Sequence, residues 1–287
     1  MAYTTIIGAG DLRTLVDRGQ VVVIDCGFDL ADPGAGRRQF EKGHIPGGRY
    51  LHLDEDLSAP ASRSEGRHPL PDPETLARAL RGAGVNAGRQ VVAYDDQGGP
   101  YAARLWWLLR WLGHDAVAVL DGGEAAWIEA GYSLEPGLDA EPAAGDFRAE
   151  VPDRARVVDV AEVVASLGDP HTLIVDARSA ARFRGAPDAL DAVAGHIPGA
   201  RNRFFKDNLD AAGRFKPAET LRDEFAAVLG AHPAEEVVLQ CGSGVTACHN
   251  ALAMEVAGLP GARLYAGSWS QWIGDPARPV ATGDEAA

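Results

Sequence analysis

Gly43-His44-Ile45-Pro46-Gly47-Gly48 returns as Gly195-His196-Ile197-Pro198-Gly199-Ala200, and this repeat decides how the chain is to be folded. The offset is 196 − 44 = 152. Just upstream, Val21-Val22-Val23-Ile24-Asp25 matches Leu173-Ile174-Val175-Asp176, at 176 − 25 = 151. Downstream, Val91-Val92-Ala93-Tyr94-Asp95 corresponds to Val237-Val238-Leu239-Gln240-Cys241, and Leu120-Asp121-Gly122-Gly123 with Trp127 echoes Tyr265-Ala266-Gly267-Ser268 with Trp272. Four matches in one order mark a tandem duplication, and the period is too long for a solenoid.

Within each half, short β-branched runs alternate with helical patterns, which predicts βα units and a mainly parallel sheet flanked by helices, an α/β fold. The first half reads helix 11–18, strand 21–25, helix 73–81, strand 91–94, helix 100–112, strand 116–120 and helix 124–130. The second reads helix 160–167, strand 173–176, helix 218–229, strand 237–240, a helix after Cys241, strand 263–265 and a short helix near 269–272. Pro136, Gly137, Pro142, Gly145 and Pro152 break any period between the halves. The domains are therefore placed at 1–135 and 153–287, with a linker at 136–152.

The 287 residues suit two domains, and 46% hydrophobic with 24% charged residues is an ordinary globular composition. A net charge of −14 argues against nucleic acid or an anionic membrane as partner. No basic-then-apolar leader opens the sequence, and the cytoplasm is the expected location. Three cysteines, Cys26, Cys241 and Cys248, are too few for a disulfide framework. The histidines show no ligand spacing beside a cysteine pair apart from the adjacent Cys248-His249, so no metal site is expected.

The chemistry is expected in Gln240-Cys241-Gly242-Ser243-Gly244-Val245-Thr246-Ala247-Cys248-His249, which lies between a strand and a helix. Backbone N–H groups of such a loop form an anion nest that opens on a helix N-terminus. A cysteine held there is expected to react as thiolate. Gly242 and Gly244 let the backbone turn, while Ser243 and Thr246 add hydroxyl donors. Cys248, two helical turns on, reads as a packing residue, and Cys26 belongs to the half without the loop.

These motifs, with Asp176-Ala177-Arg178 and Arg182-Phe183-Arg184-Gly185, resemble the two-domain sulfurtransferases of the rhodanese superfamily over nearly the whole chain. The loop is similar to that of the 3-mercaptopyruvate sulfurtransferases more than to that of the thiosulfate enzymes. The resemblance implies tandem rhodanese-like domains with one active copy, and Asp95 stands where Cys241 would be in the other. It implies transfer of a sulfur atom from 3-mercaptopyruvate or thiosulfate, through a Cys241 persulfide, to a thiol such as thioredoxin or to cyanide, with no cofactor. It assigns the nest around the sulfur to Gly242, Gly244, Val245 and Thr246, and anion binding to Arg182. In the mercaptopyruvate enzymes a second arginine usually follows some nine residues later. Here that stretch is Pro187-Asp188-Ala189-Leu190-Asp191, without a base. A Ser-His-Asp arrangement proposed for the family maps onto Ser243, His44 and, at an altered spacing, Asp32. Asp176 and Arg178 are read as a buried structural pair.

Two rivals are weighed. A phosphatase of this architecture needs Cys-x5-Arg, and the residue six after Cys241 is Ala247. A non-catalytic binding module would have no need of the cysteine that this chain keeps.

Overall fold

The apolar runs form two separate parallel sheets. The computed structural model describes residues 2–137, 143–150 and 153–284, so the linker residues 138–142 and 151–152 and the end of the tail lie outside the described residues. In the first half β1 (Ile6–Ile7), β2 (Val21–Asp25), β3 (Arg49–Tyr50), β4 (Gln90–Tyr94) and β5 (Val117–Leu120) line up as β1-β5-β4-β2-β3. Every pair is parallel, with Asp25 opposite Tyr94 at the end of the β2–β4 ladder. In the second half β6 (Leu173–Asp176), β7 (Arg201–Asn202), β8 (Val237–Gln240) and β9 (Arg263–Leu264) take the order β7-β6-β8-β9. Asp176 stands opposite Gln240, as Asp25 does Tyr94. A single parallel bridge from Val157 to Leu264 stands where β1 pairs with β5.

Both faces of each sheet are covered, which is why β5, β6 and β8 are apolar runs without alternation and buried at every position. The first core gathers Val23, Val92, Tyr94, Leu120 and Trp127, and the second Ile174, Val238, Tyr265, Trp269 and Trp272. The helix Pro100–Trp111 is buried at all positions but Arg110. Other helices begin on the expected signals. Asp72 accepts from the Thr75 N–H with Pro73 in the first turn, and Asp159 with Glu162 forms a capping box.

The packing divides the chain differently from a cut at the linker. One unit comprises Met1–Ala59, Leu70–Asp153 and Asp210–Phe215, and the other Pro60–Pro69, Arg154–Leu209 and Lys216–Ala287. Residues 60–69 thus belong to the second unit. They lie in a long connection between β3 and the helix Pro73–Gly82, with no strand or helix of its own. Such a connection in a folded domain is more often functional than idle.

Candidate active site

Cys241 follows the last residue of β8, at the C-terminal edge of a parallel sheet where ligands of α/β proteins bind. The residue is 2% exposed, and its sulfur accepts the Gly244 N–H at 3.1 Å. The helix Thr246–Val256 starts five residues on. Gly244 has φ of +77°, and a Cβ there would stand 2.3 Å from the Ala266 carbonyl oxygen, so both conformation and space require glycine. The far side of the loop is tied down by the segment after β9. Trp269 N–H donates to the Cys241 carbonyl (3.0 Å), Ser270 N–H to the Gly242 carbonyl (2.9 Å), and Cys241 N–H to Ser268 Oγ (3.1 Å). Ser268 holds φ of 52°, the one positive value at a non-glycine among the described residues, and this strain sits directly behind the cysteine. Cys248 turns its thiol onto the Gly244 carbonyl at 3.3 Å. That bond fixes the plane of the next peptide, whose Val245 N–H must then face the opposite way.

Ser243 Oγ lies 2.7 Å from His68 Nδ1, with both residues buried. Val245 is buried and Thr246 half-buried. Arg182, on the short helix Ala180–Phe183, reaches Gly242, where a Cβ would lie 3.3 Å from its Nη2 and 2.9 Å from Nη2 of Arg67. Cys241, Gly242, Ser243, Gly244, Val245, Thr246 and Arg182 are therefore assembled in one unit.

The histidine and aspartate expected to serve Ser243 have other partners within the first unit. His44 is fully buried in the first unit, where its Nδ1 donates to the Phe40 carbonyl (2.9 Å) and its ring stacks on Phe40 with centroids 3.9 Å apart. Its twin His196 does the same with Phe183, at 2.7 Å and 3.7 Å. The repeated histidine is thus a device that closes the Gly-His-Ile-Pro-Gly turn on the preceding helix. Asp32 is exposed and forms an ion pair with Arg38. The partner of Ser243 is His68, in the segment 60–69. Sequence reasoning passed over His68 and Arg67 because Ser58–Pro73 has no period. The available signal was an Arg-His pair in a long proline-containing connection.

Beneath the loop Asp176 and Arg178 form the expected buried pair. Nε and Nη2 of Arg178 reach both carboxylate oxygens at 2.7–3.1 Å, Nη2 also donates to the Gly195 carbonyl, and the guanidinium lies 4.7 Å from the Trp269 ring centroid. Among the described residues no group of three or more His, Cys, Asp or Glu side chains could hold a metal. No described helix is long and apolar enough to cross a membrane.

Two parallel α/β units with the same strand order, one of them carrying a cysteine in an N–H-lined loop, define a duplicated protein with a thiol-based site. The model of the rhodanese-like domain matches residues 8–130 and again 159–275. A probable 3-mercaptopyruvate sulfurtransferase of Pseudomonas aeruginosa is 49% identical over 286 residues, covering 99% of this chain and all of the relative. A putative thiosulfate sulfurtransferase of Mycobacterium tuberculosis is 36% identical, over 97% of each chain. Among solved structures, SseA of Escherichia coli, described with the rhodanese fold of 3-mercaptopyruvate sulfotransferases, superposes with a TM-score of 0.80 at 34% identity, covering 93% of this chain and 99% of that one. The chain belongs to the rhodanese family, with two rhodanese-like domains.

Proposed function

We propose that the protein is a sulfurtransferase that takes sulfur from 3-mercaptopyruvate onto Cys241 and passes it to a thiol. The observation that carries this reading is Cys241 Sγ seated in the N–H-lined loop with the Ser243–His68 pair and two guanidiniums beside it. The full-length relative named for mercaptopyruvate supports the donor.

In the first step the Cys241 thiolate attacks the donor sulfur, and the bond between that sulfur and C3 breaks. The electron pair goes to C3 as the enolate of pyruvate, which then takes a proton. The sulfur stays as a persulfide, which loses its proton to become an anion in the nest. Ser243, bonded to His68, is the hydroxyl suited to the developing enolate oxygen, and the pair offers a route for the proton. In the second step an acceptor thiolate such as that of thioredoxin, or cyanide, attacks the outer sulfur and releases the Cys241 thiolate. Three thiols and no disulfide among the described residues fit a reducing location such as the cytoplasm.

Thiosulfate is the second reading of the donor. Residue 191, nine after Arg182, is an aspartate, and a relative over 97% of the chain is named for thiosulfate. A comparison of kcat/KM for the two donors tests the choice. A preference for 3-mercaptopyruvate of at least about ten-fold is expected, and a preference for thiosulfate would overturn it.

A further inference from the structure

Beneath the cysteine loop of the second unit, the Arg178 guanidinium takes both oxygens of Asp176, donates to the Gly195 carbonyl and lies over the Trp269 ring. The duplication shows what stands at the same place in the first unit. At the offset of 176 − 25 = 151 the counterpart of Arg178 is Gly27, and at 272 − 127 = 145 the counterpart of Trp269 is Glu124. The first unit thus keeps the buried carboxylate, has no arginine beside it, and gains a second acid. A cavity of about 220 Å³ opens there, with Asp25, Gly27, Tyr94 and Glu124 in its wall. It lies at the C-terminal ends of β2 and β4, the edge at which parallel α/β sheets bind ligands.

We propose that this cavity binds the guanidinium group of a ligand, with Asp25 offering the edge that Asp176 offers to Arg178 and Glu124 supplying a second negative charge. The proposal is independent of the sulfur-transfer reading.

The two carboxylates are aimed alike. Asp25 is 5% exposed, and its Oδ1 accepts the Gly27 N–H (2.7 Å), as Asp176 Oδ1 accepts the Arg178 N–H (2.9 Å). Among the described residues neither Asp25 nor Glu124 forms an ion pair. The charges that act on them are other acids, Glu124 and Asp95 on Asp25, and Asp96 on Glu124. Burial, with these neighbours behind it, pushes the Asp25 carboxyl up to about 7 and raises that of Glu124. A cation seated between them relieves both.

The wall is held in place without a ligand. The Tyr50 hydroxyl donates to the Gly27 carbonyl (3.0 Å), and Gln97 Nε2 to the Phe28 carbonyl (2.6 Å). The helix Ala35–Lys42 closes on the same turn through Gly36, where a Cβ would stand 1.8 Å from the Gly27 carbonyl oxygen. The rest of the lining adds Asp29 and Asp96 against Arg38 and Lys42, and Arg38 is already paired with Asp32, so the balance favours a cation.

The kind of cation follows from shape. Among the described residues no group of three or more His, Cys, Asp or Glu side chains could hold a metal ion. The volume lies below the about 300–1,000 Å³ of sites for drug-sized ligands, which suits a small head group. A guanidinium carries donors on several edges, so one edge can face Asp25 and another Glu124, whereas an ammonium has no forked edge.

The test is a titration of the full-length protein with methylguanidine at pH 8, where Asp25 is ionised, followed by the amide NMR signals of Gly27 and Gln97. Saturable shifts with a dissociation constant at or below about 1 mM are expected. Urea, the neutral planar isostere, should leave both signals in place. Glu124→Gln should weaken binding by about ten-fold. Gly27→Arg, which brings a guanidinium from the chain itself as at position 178, should abolish the shift of Gln97 and raise the melting temperature. Gly27→Ala should keep binding within about three-fold of the parent. The tripeptide acetyl-Gly-Arg-Gly-amide separates two sources of the group: its exclusion assigns a free small molecule, and binding as tight as that of methylguanidine assigns an arginine of a peptide. No saturable shift with either probe, an equal response to urea, or an affinity unchanged in Glu124→Gln would overturn the proposal, whether or not Gly27→Arg folds.

Discussion

The two loops that follow β4 and β8 are equally long, and they use their backbone donors in opposite ways. In the first unit the carboxylate of Asp95 fills the nest itself. Its Oδ1 accepts from Gln97 (2.9 Å) and Gly99 (2.8 Å), and its Oδ2 from Tyr101 (2.9 Å) and Ala102 (3.0 Å). In the second unit the Cys241 side chain ends at Sγ, one atom short of the Asp95 oxygens, and among the described residues it is the Gly244 N–H that meets its sulfur. The first loop is thus a filled copy of the second, and it shows what such a loop binds: one compact anion held by four N–H groups. Transferred by position, the corresponding N–H groups of the second loop are those of Ser243, Val245, Ala247 and Cys248, of which the Cys248 N–H is already bonded to the Val245 carbonyl (3.0 Å). A loop whose nest is filled by its own tethered carboxylate has no room for a second anion, which leaves the second loop as the candidate site.

A second difference lies beneath the loops. Asp176 has Arg178 two residues on, whereas Asp25 has Gly27. Burial accordingly pushes the Asp25 carboxyl up to about 7, against the pull of the Gly27 N–H and the Tyr94 hydroxyl. The half with the cysteine keeps its buried charge paired, and the other half retains a carboxyl that titrates near neutrality.

The comparison can be broken in several places, and the largest effect is expected at Gly244. Gly244→Ala forces the loop off both its φ of +77° and the Ala266 carbonyl, and turnover should fall by about 100- to 1000-fold. Gly99→Ala, at φ of +94° in the filled loop, should lower stability and leave turnover per folded molecule unchanged. Steady-state kinetics on both variants checks this, and equal losses of activity would break the contrast. Asp95→Asn places an amide donor against two of the four N–H groups. A loss of roughly 3 kcal/mol in the first unit is expected from hydrogen exchange of the β4 amides.

His68→Ala, which strips Ser243 of its partner, should lower kcat for 3-mercaptopyruvate by about ten- to a hundred-fold, while His44→Gln should act on stability alone. A kcat loss confined to His44→Gln would favour His44 over His68 as the histidine that serves Ser243. The smallest effect concerns pH. Asp25 stays protonated in the folded chain up to about 7, whereas the unfolded carboxyl ionises near 4. Its contribution to stability is therefore full below about pH 4 and is lost as the pH rises through 7, with roughly 1 kcal/mol disappearing between pH 6 and 7. Asp25→Asn should flatten that slope in exchange protection of β2.

Most of the fold was legible because duplication let each weak pattern be read twice. The strands at 21–25, 173–176 and 237–240 and the helix at 218–229 stand where their apolar periods put them. What escaped were the two-residue strands β1, β3 and β7, too short to show a period, and the helix Ala35–Lys42, where Phe40 is the one large apolar side chain. At the site, the contiguous residues from Cys241 to Thr246 were legible because the chemistry is local. His68 and Arg67 were not, since residues 60–69 contribute to the second unit from far away in sequence. His44 stands out by its motif, and the same motif at His196 makes the same bond and the same stack on its preceding helix.

The most direct measurement is intact-protein and peptide mass spectrometry after incubation with 3-mercaptopyruvate in the absence of an acceptor. A gain of about 32 Da per chain on Cys241 is expected, with Cys26 and Cys248 unmodified and the gain abolished in Cys241→Ser. No gain on Cys241, or an equal gain on another cysteine, would contradict the assignment of a single sulfur-carrying loop.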